Sequence, residues 1–218
     1  MGGRGAYSFI RNMQIKNRWS GSVLGPRMPK TLSEALGKKG KPFRIADAVR
    51  GANPHFSNEY SEYSMNCQRC VVAYELRRRG YNVEAAPTYK GDRLPYEAHS
   101  NKDGTSNGYW MGAFKGARSE YVGAARNSTV RKNIESKMQS YGTGARATIM
   151  LHWQKGRAHV FNVENVNGKM HYVDAQTGKP VKIGSYLAAS RPLKTQIVRT
   201  DNLKISERAK YSVIPARS

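Results

Sequence analysis

Residues 158–176 read AHVFNVENVNGKMHYVDAQ, two runs of alternating apolar and polar residues joined by Asn167 and Gly168. An Asn-Gly pair between two such runs is the strongest short-range sign of a β-hairpin. Counting outward from this turn gives the cross-strand pairs Val166–Lys169, Asn165–Met170, Val163–Tyr172, Phe161–Asp174 and His159–Gln176. The stretch therefore predicts two antiparallel strands.

Three polar residues share one face at the end of this hairpin far from the turn. Side chains alternate between the faces of a strand, which places His159, Asp174 and Gln176 together. His159 and Asp174 are diagonal neighbours, close enough for contact. An imidazole held by a carboxylate is the base and orienting group that a Cys or Ser nucleophile requires. A surface hairpin with a chance His–Asp pair is the alternative, and a register change of one residue would separate the two side chains.

The clearest helix of the sequence spans residues 65–79, since Asn66 can cap its start and Gly80 suits its end. Cys67 lies at the predicted start, where free backbone N–H groups stabilise a thiolate and the oxyanion of a tetrahedral intermediate. Cys70 lies one turn further on the apolar face, where burial keeps a thiol neutral. We therefore prefer Cys67 as the nucleophile and keep Cys70 as the alternative.

The two cysteines permit three other interpretations. They could form a Cys-x-x-Cys redox pair, although no thioredoxin-like strand precedes them. They could bind zinc, although two more ligands are needed and the five histidines are scattered along the chain. They could also be plain residues of the hydrophobic core.

The charge of the chain is strongly positive. Its 218 residues include 37 Lys and Arg against 15 Asp and Glu, a net charge of +22. Such an excess predicts an anionic neighbour such as nucleic acid or an acidic protein. Residues 1–50 carry eleven basic residues against two acidic ones, and residues 177–218 carry nine against two. Most of the excess thus lies outside the segment of the candidate chemistry, and we interpret it as a docking or packaging property.

The sequence divides into three parts. We expect a basic N-terminal arm over residues 1–50, a catalytic domain over 51–200 and a basic C-terminal tail over 201–218. Within the domain, residue patterns predict a helix over residues 128–141, strands over 81–86, 146–153, 157–165 and 169–176, and one or two short strands within 192–215. Residues 88–126 predict long loops around Tyr109 and Trp110, which we expect to decide the substrate.

Bulk features exclude other classes of protein. No segment approaches the roughly 20 consecutive apolar residues of a membrane helix, so we expect no contact with a membrane. Residues 1–7 lack the apolar segment of a signal peptide. Two cysteines are too few for a disulfide-stapled exported fold and favour a reducing compartment. We therefore expect the protein to act in the cytoplasm of a bacterial or target cell.

The motifs together resemble a known family. The resemblance is carried by Ala52-Asn53-Pro54, by residues 66–85 (NCQRCVVAYELRRRGYNVEA), by residues 156–161 (GRAHVF) and by residues 173–178 (VDAQTG). These stretches are similar, in content and order, to the papain-fold toxins that are glutamine deamidases. Such domains occur in bacterial polymorphic toxins and at the C-termini of phage minor head proteins. The resemblance covers about residues 50–180.

This resemblance implies an α+β, papain-like fold with a nucleophile helix packed on an antiparallel β-sheet. It implies a triad of Cys67 as nucleophile, His159 as general base and acid, and Asp174 as orienting group, with Gln176 and Asn66 in support. The implied reaction is hydrolysis of a glutamine side-chain amide in a target protein, without cofactor or metal. A cysteine protease or a transglutaminase stays open, since all three form the same acyl-enzyme.

A non-enzymatic function is the alternative: a basic phage or mobile-element structural protein that binds nucleic acid around an inert papain-like core. The partners to expect are a protein with an exposed glutamine, an acidic immunity or inhibitor protein, and nucleic acid bound non-specifically through the basic arms. Delivery with a phage particle or through a secretion system follows from the resemblance.

Overall fold

The secondary structure comes from a computed structural model that describes residues 27–59, 61–88, 99–100, 106–107, 109–156 and 158–216. Its α-helices are α1 Leu32–Leu36, α2 Ile45–Ala52, α3 Cys67–Arg78, α4 Asn127–Tyr141 and α5 Ile183–Ala188. Its strands are β1 Val83–Ala85, β2 His99–Ser100, β3 Ser106–Asn107, β4 Glu120–Tyr121, β5 Arg146–His152, β6 Ala158–Val166, β7 Lys169–Asp174, β8 Lys179–Pro180, β9 Gln196–Arg199 and β10 Val213–Pro215. Predictions for residues 1–26, and for residues 89–98, 101–105 and 108 of the predicted loops, lie outside the described residues.

The centre of the fold is a six-stranded sheet with the strand order β4-β9-β5-β6-β7-β8. All its neighbouring strands are antiparallel. Two smaller antiparallel ladders join β1 to β10 and β2 to β3. The predicted helices and strands are therefore present with boundaries shifted by a few residues, and the fold belongs to the α+β class. No helix in the described part of the chain is long and apolar enough to cross a membrane.

Helices cover both faces of this sheet. On one face α3 packs against β6, and its buried residues form a core with Met150, Val160 and Val173. On the other face α4 packs through Val130, Ile134 and Met138, the stripe with helical spacing in the sequence, against Ile149, Phe161 and Val163. The sheet is thus buried between two apolar layers, and the hairpin strands β6 and β7 contribute to both.

Buried ion pairs fix α3 to the strands beneath it. The Glu75 carboxylate accepts hydrogen bonds from Arg146 of β5 at 2.8 and 2.9 Å. The Glu164 carboxylate of β6 accepts from the Tyr74 hydroxyl and from Arg78 Nε, both at 2.6 Å. Both carboxylates are almost fully buried, so each needs these partners to offset its loss of water. The helix is therefore held in one position over the sheet.

The end of α3 requires a glycine. Gly80 has a φ of 99°, which L side chains rarely adopt, and its carbonyl accepts a 2.8 Å hydrogen bond from the N–H of Gly40. A Cβ at Gly80 would overlap the Gly40 carbonyl. The residue predicted to end the helix thus also permits a close approach of the N-terminal segment.

The structure differs from the expected arm and tail where it describes them. Helix α1 and most of α2 lie inside the predicted 1–50 arm, yet Ala35, Ala48 and Val49 are buried in the same core as α3. In the predicted tail, β10 pairs with β1, and Ala209 is fully buried. The many basic residues of these segments made their apolar positions difficult to recognise in the sequence. In the structure, those apolar residues are part of the hydrophobic core.

Candidate active site

Cys67 is the first residue of α3 and is partly exposed. Asn66 is the N-cap residue, and its backbone carbonyl accepts from the N–H of Arg69 at 2.8 Å and of Cys70 at 3.1 Å. Its side chain makes no cap hydrogen bond. The N–H groups of Cys67 and Gln68, which precede the first intrahelical bonds, are therefore not capped by Asn66. Donors of this kind stabilise an oxyanion.

His159 and Asp174 form a buried pair, with exposures of 0% and 1%. His159 Nε2 lies 3.0 Å from Asp174 Oδ2. The same oxygen accepts from the Tyr186 hydroxyl at 2.8 Å, and Asp174 Oδ1 accepts from the N–H of Gln176 at 2.9 Å. Burial opposes the ionised carboxylate, but His159 and these two donors outweigh it and lower the pKa of Asp174. The carboxylate is thus charged and fixed in orientation.

The His159 ring also contacts Cys67. Burial opposes protonation of the ring, yet the Asp174 carboxylate and a hydrogen bond with the Cys67 thiol raise the pKa of His159 to about 10. The imidazole is therefore protonated at neutral pH and lies between a carboxylate and a thiol. The structure brings together the three side chains of the predicted triad.

The predicted hairpin register is confirmed for all pairs that form, but the ladder ends earlier than predicted. Val166–Lys169, Asn165–Met170 and Val163–Tyr172 pair as predicted, and the ladder ends at Asn162–Val173. The predicted pairs Phe161–Asp174 and His159–Gln176 are not formed. Instead, β7 ends at Asp174, the chain turns, and Lys179 of β8 pairs with Asp174. The His159–Asp174 contact is therefore made at the end of the ladder and not within it.

Aromatic rings hold the His159 imidazole on the sheet. The Trp153 ring stacks on it with centroids 5.6 Å apart and an interplanar angle of 18°. Tyr186 meets it edge-on at 5.9 Å and 87°. Phe161 lies on the same strand, with its ring centroid 6.3 Å away. Aromatic faces stabilise a protonated ring and limit its rotation, so they favour one orientation between Cys67 and Asp174.

Cys70 lies in a different environment from Cys67. It is fully buried, and its thiol donates to Asn66 Oδ1 at 3.1 Å. Burial, together with the nearby Cys67 and Asp174, raises the pKa of Cys70 well above its ordinary value. Cys70 is therefore a neutral thiol, which agrees with the preference for Cys67. The assignment of the nucleophile stays a prediction.

The Asn53 side chain joins the start of α3 to the end of β7. Its Nδ2 donates at 2.9 Å to the carbonyls of Tyr63 and of Gln176. Its Oδ1 accepts from Asn66 Nδ2 at 3.2 Å. Asn53 and Asn66 are almost fully buried. Because Gln176 in turn donates to Asp174, a chain of hydrogen bonds connects the residue before Cys67 with the carboxylate that holds His159.

Gln176 contacts the site through its backbone. Its N–H donates to Asp174, and its carbonyl accepts from Asn53. Both polar atoms of its side-chain amide are buried and have no hydrogen-bond partner among the described residues. Gln176 thus contacts the candidate site through its main chain, and its supporting role stays a prediction.

The described residues provide no set of ligands for a zinc site at the two cysteines. There, no group of three or more His, Cys, Asp or Glu side chains could hold a metal ion. Cys67 and Cys70 are both free thiols.

A comparison with known protein families matches residues 65–179 to the family described as papain fold toxin 1, glutamine deamidase. The match covers more than half of the chain. This protein belongs to that family. The papain-like α+β fold implied by the resemblance is thereby confirmed. The comparisons with curated proteins and with solved structures found no match.

Two contacts of the candidate site come from outside the matched segment. Asn53 precedes it, and Tyr186 follows it in α5. In the sequence, Asn53 belonged to a stretch that carries the family resemblance but had no predicted role of its own, and Tyr186 and Trp153 had none either. Residue patterns show which face of an element is apolar, but a single polar contact between distant elements leaves no periodic signal.

Proposed function

We propose that this protein deamidates a glutamine side chain of a target protein, with Cys67 as nucleophile, His159 as proton carrier and Asp174 as orienting group. The observation that carries the proposal is the position of His159, which bonds Asp174 on one side and the Cys67 thiol on the other. Membership of the glutamine deamidase family supports the choice of reaction.

The first half-reaction forms an acyl-enzyme. A protonated His159 stabilises a thiolate at Cys67, which attacks the carboxamide carbon of the substrate glutamine. The uncapped N–H groups of Cys67 and Gln68 hold the developing oxyanion. The intermediate then collapses with cleavage of the C–N bond. His159 gives its proton to the leaving nitrogen, and ammonia departs from a thioester.

The second half-reaction restores the enzyme. Neutral His159 takes a proton from water, which attacks the thioester carbon, and cleavage of the C–S bond returns the Cys67 thiolate. The products are ammonia and a glutamate side chain. Throughout, Asp174 keeps the His159 ring in one orientation, because Nε2 stays bonded to the carboxylate.

Mass spectrometry of host proteins after expression in bacteria tests the proposal. We expect one glutamine of a host protein to become glutamate, and we expect no conversion with the Cys67→Ala and His159→Ala variants. New peptide termini would instead identify a protease. Bonds between glutamine and lysine side chains would identify a transglutaminase. Host peptides identical with and without the protein would contradict an amidohydrolase that acts on bacterial proteins.

We further propose that the protein acts as a toxin or effector in the cytoplasm of a bacterial or target cell. Reducing conditions there keep the Cys67 thiol available for attack. Delivery with a phage particle or through a secretion system and inhibition by an acidic immunity protein are part of the same proposal. The net charge of +22 supports an acidic partner.

Non-specific binding of nucleic acid is a second candidate function. Lys38, Lys39 and Lys41 are exposed in the segment between α1 and α2. The hydrogen bond from Gly40 to Gly80 places this segment at the C-terminal end of α3. A helix of 12 residues is about 18 Å long, so these lysines lie far from Cys67. They can therefore bind phosphates without taking part in the chemistry.

Fluorescence anisotropy with a short DNA duplex at several salt concentrations tests this binding. The triple change Lys38→Glu, Lys39→Glu and Lys41→Glu should weaken binding and reduce its salt dependence, because fewer counterions are released. A matched control carries the same charge change at the exposed residues Lys132, Lys169 and Lys182. Equal loss of affinity in both variants would contradict a localised binding segment.

A further inference from the structure

Cys70 is a buried thiol that the proposed deamidation does not use. It lies in the first turn of α3, three residues after Cys67, and is fully buried while Cys67 is partly exposed. Its thiol donates to Asn66 Oδ1, the side chain that also bonds Asn53. A hydrophobic contact alone would need no such hydrogen bond. The position of this sulfur is thus fixed next to the candidate nucleophile.

The two thiols lie on one turn of α3, so a disulfide requires only a small approach of one to the other. Side chains three residues apart on a helix are neighbours, with Cβ atoms about 5–6 Å apart. A disulfide needs Cβ atoms about 3.5–4.5 Å apart. Cys67 can approach Cys70 more easily than a residue of a helix interior could, because its N–H precedes the first intrahelical hydrogen bonds, which start at Arg69 and Cys70.

We propose that Cys67 and Cys70 form a reversible disulfide when a hydroperoxide oxidises Cys67. The pair is then a modification site in which Cys70 protects the nucleophile from irreversible oxidation. The proposal rests on the reactive Cys67 of the proposed function, but its product is recognised by mass and not by activity.

The chemistry takes two steps. The Cys67 thiolate attacks one peroxide oxygen, an S–O bond forms, the O–O bond breaks, and hydroxide or alkoxide leaves. Cys67 is thereby oxidised by two electrons to a sulfenic acid, and the peroxide is reduced. The Cys70 sulfur then attacks the Cys67 sulfur. An S–S bond forms, the S–OH bond breaks, and the leaving hydroxide takes the Cys70 proton to give water.

This disulfide would switch the enzyme off without destroying it. Cys67 in a disulfide has no thiolate with which to attack a carboxamide, so deamidation stops. A thiol reductant of the cytoplasm would restore both thiols. A deamidase that passes through an oxidising environment would thus recover its nucleophile on entry into a cell.

The sequence offers a direct test, because trypsin cleaves after Arg69, between the two cysteines. The full-length protein is treated briefly with hydrogen peroxide, its remaining thiols are alkylated, and it is digested. We expect peptides 51–69 and 70–77 to appear joined by a disulfide and to separate after dithiothreitol. Before digestion, the oxidised protein should have lost two hydrogen atoms.

Two variants sharpen the test. Cys70→Ala should show Cys67 with two or three added oxygen atoms that dithiothreitol does not remove. Cys67→Ala should show no oxidised sulfur at Cys70, because that thiol is buried. If Cys70→Ala does not fold, the joined peptides of the wild type still test the proposal.

Wild-type Cys67 that gains oxygen irreversibly beside an intact Cys70 thiol would overturn the proposal, and so would a Cys67 that is not oxidised. Joined peptides from a protein without deamidase activity would instead overturn the proposed function alone.

Discussion

His159 Nε2 lies 3.0 Å from Asp174 Oδ2, although the ladder between their strands ends before either residue is paired. The contact forms where β7 leaves β6 and turns toward β8. The Tyr186 hydroxyl and the Gln176 N–H hold the carboxylate at this point. The pair therefore depends on three segments of the chain: β6, the end of β7 with the turn after it, and α5. Substitutions can test each of them.

The first prediction concerns the charge of Asp174. In Asp174→Asn, the loss of the carboxylate lowers the pKa of His159 and releases the ring from its fixed orientation. We expect glutamine deamidation to fall by about 10²–10⁴-fold, the usual contribution of acid–base catalysis. The rate of ammonia release measures the effect. Tyr186→Phe removes one donor and keeps the charge of Asp174, so its deamidation rate should fall much less. Equal losses of rate in the two variants would contradict the role assigned to Asp174.

The second prediction separates the two cysteines. Iodoacetamide at neutral pH should label Cys67 much faster than Cys70, because Cys67 is partly exposed beside a protonated imidazole and Cys70 is buried and neutral. Peptide mapping of a time course gives both rates. In denaturant the two rates should become similar. Slow and equal labelling of the folded protein would contradict Cys67 as the activated thiol.

The third prediction concerns Asn53. Replacement by Ala removes the hydrogen bonds to the Gln176 and Tyr63 carbonyls and one bond of the Asn66 amide, which keeps the Ala86 carbonyl as a partner. A buried group left unpaired costs about 1–3 kcal/mol. We expect a lower Tm and a lower kcat with little change in KM, because Asn53 positions other groups and does not bind substrate. Asn58→Ala, an exposed residue of the same loop, is the matched control. A similar effect of both changes would contradict the positioning role.

The fourth prediction concerns pH and stability. The pKa of His159 is raised from 6.5 to about 10 in the folded protein. Its charged form thus contributes stability that is fully present below pH 6.5 and is lost as the pH rises through 10. We expect the Tm of the wild type to fall over this range more than that of His159→Gln. Thermal unfolding at a series of pH values measures both, and parallel curves would contradict a charged His159.

Much of the fold follows from local patterns in the sequence. The Asn-Gly turn sets the register of β6 and β7 near Gly168, and the apolar stripe of Val130, Ile134 and Met138 marks α4. The start of α3 at Cys67 follows from a capping residue, although Asn66 uses its side chain for other contacts. Such features involve neighbouring residues, so propensity and spacing are sufficient to predict them.

The remaining features depend on contacts between distant segments. Asp174 is an example, because the end of β7 is decided by pairing with β8 and not by its own residues. Asn53 and Gln176 are 123 residues apart, and the bond between them cannot be inferred from either local sequence. The basic composition of residues 1–50 also concealed α2 and the burial of α1, since a few buried alanines and valines carry their packing.

The most direct test of the account is the comparison of Cys67→Ala with Cys70→Ala in water labelled with heavy oxygen. In the wild type and in Cys70→Ala, we expect the target glutamine to become a glutamate that carries one heavy oxygen atom, because water cleaves the thioester. In Cys67→Ala we expect the glutamine to stay unchanged. Conversion that continues without Cys67, or that is lost only without Cys70, would contradict Cys67 as the nucleophile.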